Sequence, residues 1–215
     1  MKRARKYTLK KRAEQQEETR TRIAAAAMAL HEELGPALTT VSAIAERAGV
    51  ERLTVYRHFP DDRAILQACS GLYAQLHPPP DPASWQDIDD PVTRSRVALL
   101  AIYAHYRVTH RMYARALRDE ERMDAVREVM DRTRAGYFAP LRNDLAAAWP
   151  SRRRELRVGL AHALEFTTWQ SLEREGLSDK AKADLMVRWL KASACMPEDS
   201  AERPRRKSPA SKPAT

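Results

Sequence analysis

The first part of the chain shows apolar positions at helical spacing. Between Glu14 and Leu34 an apolar residue returns every three or four positions, which indicates one amphipathic helix. This apolar stripe consists of Ile23, Ala26, Ala27, Leu30 and Leu34. Gly35-Pro36 follows directly, and this pair favours the end of the helix.

Two shorter helices are predicted in the stretch TTVSAIAERAGVERLTVYRHFP, residues 39–60. Thr39 or Thr40 can N-cap the first of them, and Gly49 suits its carboxyl end. Its inward-facing positions are Val41, Ile44, Ala45 and Ala48. The second helix is predicted from Arg52 to His58, because Pro60 prevents its continuation.

The remaining chain predicts further helices around one loop. Asp61 or Asp62 can cap a helix that carries Ile65, Leu66, Leu72 and Leu76. Residues 77–91 then contain five of the thirteen prolines, so a loop is predicted there. Helical patterns resume over 92–109, 111–118, 120–148 with a kink near Pro140, 151–175 and 178–194. These patterns predict an all-α fold.

The composition agrees with an all-α protein. A hydrophobic content of 43% can supply a core, whereas three Phe and six Gly are few for a β-sandwich or barrel. No apolar run is long enough to span a bilayer, and none follows the basic amino terminus as in a secretory signal. Cys69 and Cys195 lie far apart, outside any metal-ligand spacing, so we expect free thiols and a cytoplasmic location.

The net charge of +9 is concentrated toward the two ends of the chain. Residues 1–12 hold seven Lys or Arg and no acid, and residues 203–212 form a second basic cluster among Pro and Ser. We predict a basic disordered arm over residues 1–14 and a disordered basic tail over residues 197–215. Such segments either keep a protein soluble or attract polyphosphate, and composition leaves both roles open.

The spacing of the two short helices matches a helix-turn-helix. Ala45 is small where the helices would cross, and Gly49 can adopt the positive φ that the turn needs. The longer run TVSAIAERAGVERLTVYRHFPDDRAIL resembles the amino-terminal signature of TetR/AcrR-family transcriptional regulators. The run GLAHALEFTTWQSLEREGLSDKAKADLM is similar to the last two helices of that family's effector domain.

This resemblance implies a domain order. An N-terminal three-helix helix-turn-helix DNA-binding module with a connecting helix is expected over residues 15–76, followed by the Pro-rich loop 77–91. A helical effector-binding and dimerisation domain is expected over residues 92–196. The partners implied are double-stranded DNA with a palindromic operator, a small hydrophobic effector and a second copy of the chain, with no membrane.

The resemblance also implies which residues contact DNA, with helix 52–58 in the major groove. These residues are Thr40, Arg52, Leu53, Thr54, Tyr56, Arg57 and His58. Thr40, Tyr56 and His58 match positions that bond phosphates, and such contacts position a protein without specifying sequence. Arg52 is the strongest candidate for base recognition, because a guanidinium can bind guanine O6 and N7 together. The alternative for Arg52 is a solvated helix start, and for Tyr56 partial core packing.

Three positions depart from the family pattern. Leu53 stands where Gly is frequent and offers an apolar contact, for example to a thymine methyl group. Glu51 replaces a common Ser, and Asp62 replaces a Lys that meets phosphate at the next helix start. We infer that this module holds phosphate weakly and that the basic arm Lys2–Arg12 compensates.

Aromatic residues spread over several later helices are candidates for the effector site. The selected residues are Tyr106, His110, Phe138, His162, Phe166 and Trp169. Aromatic residues at helical spacing also serve simply as core, and this alternative stays open for each of them. His162 and Glu165 lie three apart without a further ligand, so no metal and no cofactor are expected. No catalytic pattern of residues occurs, and we predict that the protein is not an enzyme.

The last two helical segments are expected to form the interface of a homodimer. Small residues for close helix contact are Ala161, Ala163, Thr167, Thr168 and Ser171, and apolar area comes from Leu160, Leu164, Leu172, Leu185 and Trp189. The function predicted is a dimeric, sequence-specific transcriptional regulator, most simply a repressor that a small ligand releases from its operator. The alternatives are a protein that coats nucleic acid through its basic tails and a ligand-binding helical domain with a vestigial DNA-binding module.

Overall fold

The computed structural model describes the backbone of residues 2–195 and the side chains of residues 10–195. Ten α-helices occur in this part of the chain: α1 (Lys2–Glu33), α2 (Val41–Ala48), α3 (Arg52–His58), α4 (Asp62–Leu76), α5 (Pro91–Asp119), α6 (Asp124–Thr133), α7 (Ala139–Ala148), α8 (Arg154–Leu164), α9 (Phe166–Arg174) and α10 (Asp179–Cys195). Residues 2–195 contain no strand, so the predicted all-α fold is confirmed. The tail predicted over residues 197–215 lies outside the described residues.

Side-chain caps fix where the short amino-terminal helices begin and end. The Thr40 hydroxyl accepts the Ala43 N–H over 3.2 Å at the start of α2, and the Asp61 carboxylate accepts the Ala64 N–H over 2.7 Å at the start of α4. Gly49 ends α2 with a φ of 62°, a conformation that glycine adopts without strain. The predicted bounds of α2 and α3 are therefore those of the structure.

Helices α1 to α4 form the amino-terminal bundle, which has an aliphatic, alanine-rich core. Its buried residues include Ile23, Ala24, Ala26, Ala27, Leu30, Ile44, Ala45, Ala48, Val55, Phe59, Ile65, Leu66 and Cys69. The alanines let α1 and α2 approach closely, and Val55 and Phe59 anchor α3 to the bundle. Val126 and Met130 of α6 close this core from the other half of the chain.

Helices α5 to α10 form the carboxyl-terminal bundle, whose core is aromatic. The buried aromatic residues are Trp85, Tyr103, Tyr106, Trp149, Phe166 and Trp169. Trp85 comes from the loop that precedes α5 and is almost completely buried, so this Pro-rich loop belongs to the core. Asp90 caps α5 by accepting the Thr93 N–H over 2.8 Å, and Pro91 is therefore the first helical residue and not part of the loop.

Two helices are longer than the sequence predicted. Helix α1 begins at Lys2, whereas a disordered arm was expected over residues 1–14. Residues 2–22 contain no Gly or Pro and are rich in Lys, Arg, Glu and Gln, which favour helix. Helix α5 runs unbroken through the predicted spans 92–109 and 111–118, because no residue between them interrupts helical hydrogen bonding.

Two later helices are interrupted instead. Residues 134–138 form a π-helical turn between α6 and α7, where the Ala139 N–H bonds to the Arg134 carbonyl. This turn replaces the kink predicted near Pro140, whose ring nitrogen cannot donate a hydrogen bond. The helix predicted over 151–175 breaks at Glu165, which is extended, with a φ of −72° and a ψ of 139°. The break separates α8 from α9.

Three hydroxyl groups donate to carbonyls at the end of α8, and one of these carbonyls, that of His162, also accepts the Glu165 N–H over 3.2 Å. Tyr103 donates to the Ala163 carbonyl and Tyr106 to the Leu164 carbonyl, each over 2.7 Å. Thr168 donates to the His162 carbonyl over 2.6 Å. Unpaired carbonyls at a buried helix end would destabilise the fold, so the tyrosines of α5 hold the end of α8 in place.

A polar contact joins the end of α5 to the turn between α1 and α2. The Asp119 carboxylate is almost fully buried and accepts the Ala37 N–H over 3.0 Å. Arg118 donates to Asp119 over 2.7 Å and to the Leu34 carbonyl over 2.8 Å. Gly35 lies against this pair with a φ of 96°, a conformation that favours glycine. The two bundles are thereby fixed to each other at this turn.

Candidate nucleic-acid interface and internal cavity

Helix α3 is attached to the amino-terminal bundle by one face and leaves the other in solvent. Val55 and Phe59 are fully buried, whereas Arg52, Leu53, Tyr56 and Arg57 are exposed. The exposed residues stand one and four positions apart, which places them on a single helical face. The apolar side chain of Leu53 also lies on this face and has 57% of its surface exposed to solvent.

Six of the seven residues selected for DNA contact lie on α3, and the seventh, Thr40, lies at the start of α2. Thr54 and His58 are half-buried at the edges of the exposed face of α3, and Thr40 is exposed at the start of α2. The Thr40 hydroxyl is engaged as the cap of α2, but an oxygen that accepts the Ala43 N–H still has its own proton to donate.

Sequence analysis missed Arg20, which secures the end of α3. Its guanidinium donates to the His58 carbonyl over 2.8 Å and lies 4.3 Å from the centre of the Phe59 ring. An arginine can hydrogen-bond to a helix end and stack on an aromatic ring at the same time. The chain gives no local signal for this contact, because it joins residues 38 positions apart.

Four of the six residues selected for effector binding belong to one aromatic cluster. Tyr106 lies 5.4 Å from Phe166, 6.2 Å from Phe138 and 6.2 Å from Trp169, measured between ring centres. Tyr106, Phe166 and Trp169 are buried, and the other two selected residues, His110 and His162, are exposed. The alternative interpretation as core residues therefore fits Tyr106, Phe166 and Trp169.

A cavity of about 390 Å³ touches the edge of this cluster. Tyr106, Phe138 and Phe166 line it, together with charged residues such as Arg142 and Glu165. His110, His162 and Trp169 do not line it. Only three of the six selected residues therefore line this cavity.

A second cavity, of about 800 Å³, lies between the two bundles and is lined by none of the six selected residues. Helix α4 contributes Cys69 and Tyr73, α5 contributes His105 and Tyr113, and α6 contributes Met130. His31 of α1, Pro36 of the following turn and Tyr137 of the π-helical turn also line it. This volume is in the range of sites that hold drug-sized molecules.

Sequence analysis missed this larger cavity because its walls come from both halves of the chain. Cys69 and Tyr73 lie on α4, which the apolar pattern predicted only as a packed helix. The one local signal was the pair of Tyr73, in the last turn of α4, and His77, directly after this helix, whose rings lie 4.5 Å apart. Nothing in the pattern placed this pair opposite α5 and α6.

Burial keeps two titratable groups of the larger cavity, His31 and Cys69, uncharged. Burial lowers the pKa of His31 to about 4, and the nearby Asp119 carboxylate opposes this shift only in part. Burial raises the pKa of the Cys69 thiol to about 12, and its sulfur lies 3.3 Å from His31 Nδ1. Burial, with a contribution from His77, also lowers the pKa of His105. Near neutral pH the pair of His31 and Cys69 therefore carries no charge.

The described residues hold neither a candidate metal site nor a membrane-spanning helix. Within residues 2–195 no group of three or more His, Cys, Asp or Glu side chains could hold a metal ion. Among the same residues no helix is long and apolar enough to cross a membrane.

Comparisons with known proteins agree with the helix-turn-helix. Residues 23–69 match the family described as bacterial regulatory proteins, tetR family. A crystal structure of a TetR-like transcriptional regulator from Rhodococcus sp. RHA1 has a TM-score of 0.58 and 16% identity, covering 81% of this chain and 94% of its own. A second Rhodococcus sp. structure, assigned to the TetR family, has a TM-score of 0.55 and 16% identity, covering 83% and 99%. A search of curated proteins finds no match.

The family match covers the last part of α1, all of α2 and α3, and the first half of α4. The two solved structures share the fold over 81% and 83% of the chain. The predicted resemblance is confirmed for the amino-terminal module, because residues 23–69 match the TetR family of bacterial regulatory proteins. The fold of this module and of the helical second half is the fold of the two solved structures.

Proposed function

We propose that the protein is a homodimeric repressor that binds a palindromic operator through α3 and leaves it when a small molecule occupies the cavity between the bundles. The observation that carries the proposal is the lining of that cavity. His31, Cys69 and Tyr73 belong to the DNA-binding bundle, whereas His105 and Tyr113 belong to the other. A molecule bound there touches both bundles at once.

In this proposal the exposed face of α3 enters the major groove. Arg52 is at the first turn of the helix, where a side chain reaches base edges, and Leu53 offers its exposed apolar surface to a thymine methyl group. Tyr56, His58 and Thr40 donate to phosphates and set the position of the module. Arg20 contributes indirectly, because it holds the end of α3 against α1.

The basic segment at residues 2–12 adds phosphate contacts outside the groove. It continues the same helix that carries Arg20, and it holds seven Lys or Arg without an acid. Each phosphate neutralised by a cation contributes about −0.9 to the slope of log affinity against log salt. Removing residues 1–12 should therefore reduce this slope, and removing residues 203–212 serves as the control at the other end. An unchanged slope after the first deletion would contradict this role.

The dimer interface is proposed on α8 and α10. These helices pack closely, because a Cβ atom at Gly159 would stand 3.1 Å from Leu190 Cδ2. Their outer side exposes 58% of Val158 and 54% of Trp189, both apolar side chains that a symmetric copy can bury. Of the residues expected at the interface, Leu160, Ala163, Leu164 and Thr168 are buried within the chain's own core. Trp189, Thr167 and Ser171 are exposed.

In this proposal the ligand stabilises one of two relative arrangements of the two bundles. The free energy with which the ligand favours release of DNA equals the difference between its binding free energies for the DNA-bound and the released arrangement. A molecule that spans the junction can have such a difference, because its contacts with α4 and α5 depend on how the two bundles are oriented. No catalytic step is part of this proposal.

The test begins with selection from a random DNA pool, using the full chain at near-physiological salt. An inverted repeat is the expected result, since two copies related by a two-fold axis bind two symmetric half-sites. Recovery of bound DNA that has no common sequence would instead indicate that the basic tails coat nucleic acid. Absence of binding would indicate a ligand-binding protein with a vestigial module.

The dimer is tested by light scattering during gel filtration. Trp189→Glu should give a monomer, because it places a charge in the proposed interface. Leu38→Glu changes an equally exposed apolar residue on the turn before α2 and should leave the dimer intact. A dimeric Trp189→Glu variant would remove α10 from the proposed interface.

A further inference from the structure

The smaller cavity, of about 390 Å³, has charged side chains on its wall as well as aromatic rings. Arg142 of α7 and Glu165, the extended residue between α8 and α9, both line it. Within residues 10–195 no acid lies within 4.0 Å of the Arg142 guanidinium, and no basic group lies within 4.0 Å of the Glu165 carboxylate. Neither charge is therefore paired with the other or with another described side chain.

The other arginine on this wall, Arg134, already has partners. Its guanidinium lies 2.9 Å from the Glu120 carboxylate and 3.1 Å from the Asp131 carboxylate. Arg142 has no such contact, and no described group hydrogen-bonds to its buried Nε atom. A guanidinium that lacks acceptors on the wall of a cavity is unfavourable, and a bound carboxylate can supply them.

The positions of both side chains place their charges at the cavity. Phe138 and Ala139, four and three positions before Arg142, also line it, so this face of α7 is turned toward the cavity. The pKa of Tyr106 is raised, mainly by burial and in smaller part by the Glu165 carboxylate. Because Tyr106 lines the cavity, this carboxylate lies close to the same space.

The rest of the wall is suited to an aromatic ring. Tyr113, Phe138 and Phe166 line the cavity, and the rings of Tyr113 and Phe166 lie 5.4 Å apart, measured between their centres. Aromatic walls favour a ring that packs against their faces or edges. The volume is toward the lower end of the range for sites that bind small molecules, so the fitting ligand is small.

An ion with one sign of charge is suited to only one side of this site. A bound anion can pair with Arg142, but it brings a negative charge near Glu165 and removes water from that carboxylate. A bound cation has the reverse effect. A molecule that carries both charges can pair with both side chains, and these pairings offset the cost of removing water from each.

We propose that the smaller cavity binds a small aromatic zwitterion. Its carboxylate pairs with Arg142, and its ammonium group pairs with Glu165. The aromatic ring lies against Phe138 and Phe166. This is a second ligand site, separate from the larger cavity, and it does not depend on the proposed repressor mechanism.

The two cavities are neighbours with different charged residues. Tyr113, Met130 and Thr133 line both, so they form the wall between them. Arg142 and Glu165 line only the smaller cavity. Substitutions of these two residues therefore test the smaller site without changing the lining of the larger cavity.

Three probes with similar skeletons test the proposal: L-phenylalanine, 3-phenylpropionate and 2-phenylethylammonium. Calorimetric titration of the full chain without DNA should show that L-phenylalanine binds roughly tenfold more tightly than either probe that lacks one charge, the effect of one charge-assisted hydrogen bond. Equal or tighter binding of a singly charged probe, or no binding of L-phenylalanine at millimolar concentration, would overturn the proposal.

Two variants assign the charges. Arg142→Gln should abolish the preference for L-phenylalanine over 2-phenylethylammonium, because the carboxylate then has no partner, and should keep the preference over 3-phenylpropionate. Glu165→Gln should have the opposite effect on the two preferences. A loss of stability alone would weaken the binding of all three probes alike, so these opposite changes distinguish ligand contacts from structural roles.

The matched controls are Arg132→Gln and Glu175→Gln. Arg132 lines only the larger cavity, and Glu175 is exposed after α9 and lines neither cavity. Both controls should bind the three probes as the unaltered protein does. Unchanged preferences in Arg142→Gln and Glu165→Gln, or loss of L-phenylalanine binding in Arg132→Gln, would place the ligand outside the smaller cavity and contradict the proposal.

Discussion

The two bundles bury different kinds of side chain, and their candidate functional regions lie in different places. The amino-terminal bundle packs alanine and aliphatic residues around short helices and uses the outer face of α3 as its contact surface. The carboxyl-terminal bundle packs tyrosine, tryptophan and phenylalanine around the long helix α5. Its aromatic residues suggested a binding site, yet most of them are core. The larger cavity lies where the two bundles meet, and its walls include Leu66, Cys69, Val126 and Met130 of the amino-terminal core.

This difference teaches that aromatic content alone does not mark a ligand site. Tyr106 hydrogen-bonds to the end of α8 and is surrounded by other rings, so its aromatic surface is already used within the fold. Tyr73 and Tyr113 instead line the larger cavity between the bundles. A position on the wall of that cavity, and not aromatic character, distinguishes a candidate effector contact.

The strongest way to test whether the two cores are independent is to truncate one aromatic residue in each. Tyr106→Ala and Phe59→Ala should each lower the free energy of unfolding by about 3–5 kcal/mol, because each leaves a buried cavity. All four tryptophans lie beyond residue 84, so their fluorescence reports on the carboxyl-terminal half, while far-ultraviolet circular dichroism reports on all helices. Urea unfolding followed by both signals makes the comparison.

Phe59→Ala should shift the circular dichroism transition more than the fluorescence transition, since Phe59 packs only within the amino-terminal core. Tyr106→Phe is the matched control for Tyr106→Ala and should lose about 1 kcal/mol, the effect of one hydrogen bond. Equal shifts of both signals in Phe59→Ala would mean that the two bundles unfold as one unit.

Acid should weaken the junction between the bundles through His31. The unfolded chain protonates this histidine near its ordinary pKa of 6.5, whereas the folded protein does so only near about 4. Between these values the unfolded chain binds more protons, so stability falls as the pH drops through this range and the loss ends below it. The expected loss is on the order of 3 kcal/mol.

His31→Gln should flatten this part of the stability profile, measured by urea unfolding between pH 7 and pH 4. His110→Gln changes an exposed histidine and should leave the profile unchanged. A His31→Gln profile as steep as that of the unaltered protein would mean that His31 does not resist protonation in the folded state.

Two glycines allow a comparison between the junction of the bundles, at Gly35, and the exposed turn between α2 and α3, at Gly49. Both have positive φ, but a Cβ at Gly35 would overlap the Arg118 guanidinium and lie 2.5 Å from Asp119 Oδ2. A Cβ at Gly49 would meet nothing within 4 Å. Gly35→Ala should therefore lose about 2–3 kcal/mol and Gly49→Ala about 1 kcal/mol, the cost of the backbone conformation alone.

Thermal and urea unfolding of the two variants measures this difference. Gly35→Ala should also change the DNA response to ligand, because it disturbs the contact between α5 and the turn before α2. Equal stabilities of the two variants would mean that Arg118 and Asp119 move aside at little cost.

The contact surface of α3 is tested by Arg52→Ala. Loss of a two-point contact with guanine should weaken operator binding by about 1–3 kcal/mol per half-site and relax the preference at one base pair. Thr40→Ala should weaken binding to all sequences alike, since phosphate contacts carry no sequence information. Arg111→Ala removes an exposed charge from α5 and is the control. An unchanged base preference in Arg52→Ala would assign the recognition to another residue.

Local signals explain how much of the fold the sequence predicted. Thr40, Gly49 and Asp61 act on backbone groups within a few positions, so the bounds of α2 and α3 followed from the sequence. The break at Glu165 did not, because it is stabilised by hydroxyls of Tyr103 and Tyr106, about 60 positions away in the chain. Periodicity predicts that a segment is helical but not which distant side chain ends it.

The two candidate functional regions differ in the same way, because one followed from the sequence and the other did not. The exposed face of α3 followed from its motif, because helical spacing alone places Arg52 and Tyr56 together. The larger cavity depends on how α4, α5 and α6 meet, and its walls are contributed by residues as far apart as His31 and Tyr137. No pattern within one helix predicts such a space.

Helix α1 is uninterrupted from Lys2 to Glu33 and contacts both candidate functional regions. Its His31 lines the larger cavity, and its Arg20 holds the end of α3. The two residues are eleven positions apart, which corresponds to about 16 Å along the helix axis. A tilt of α1 by about 5° at the cavity end would carry the Arg20 end sideways by roughly 1.5 Å. If α1 tilts as one body, a small change at the cavity end would displace the Arg20 end by about half the length of a hydrogen bond.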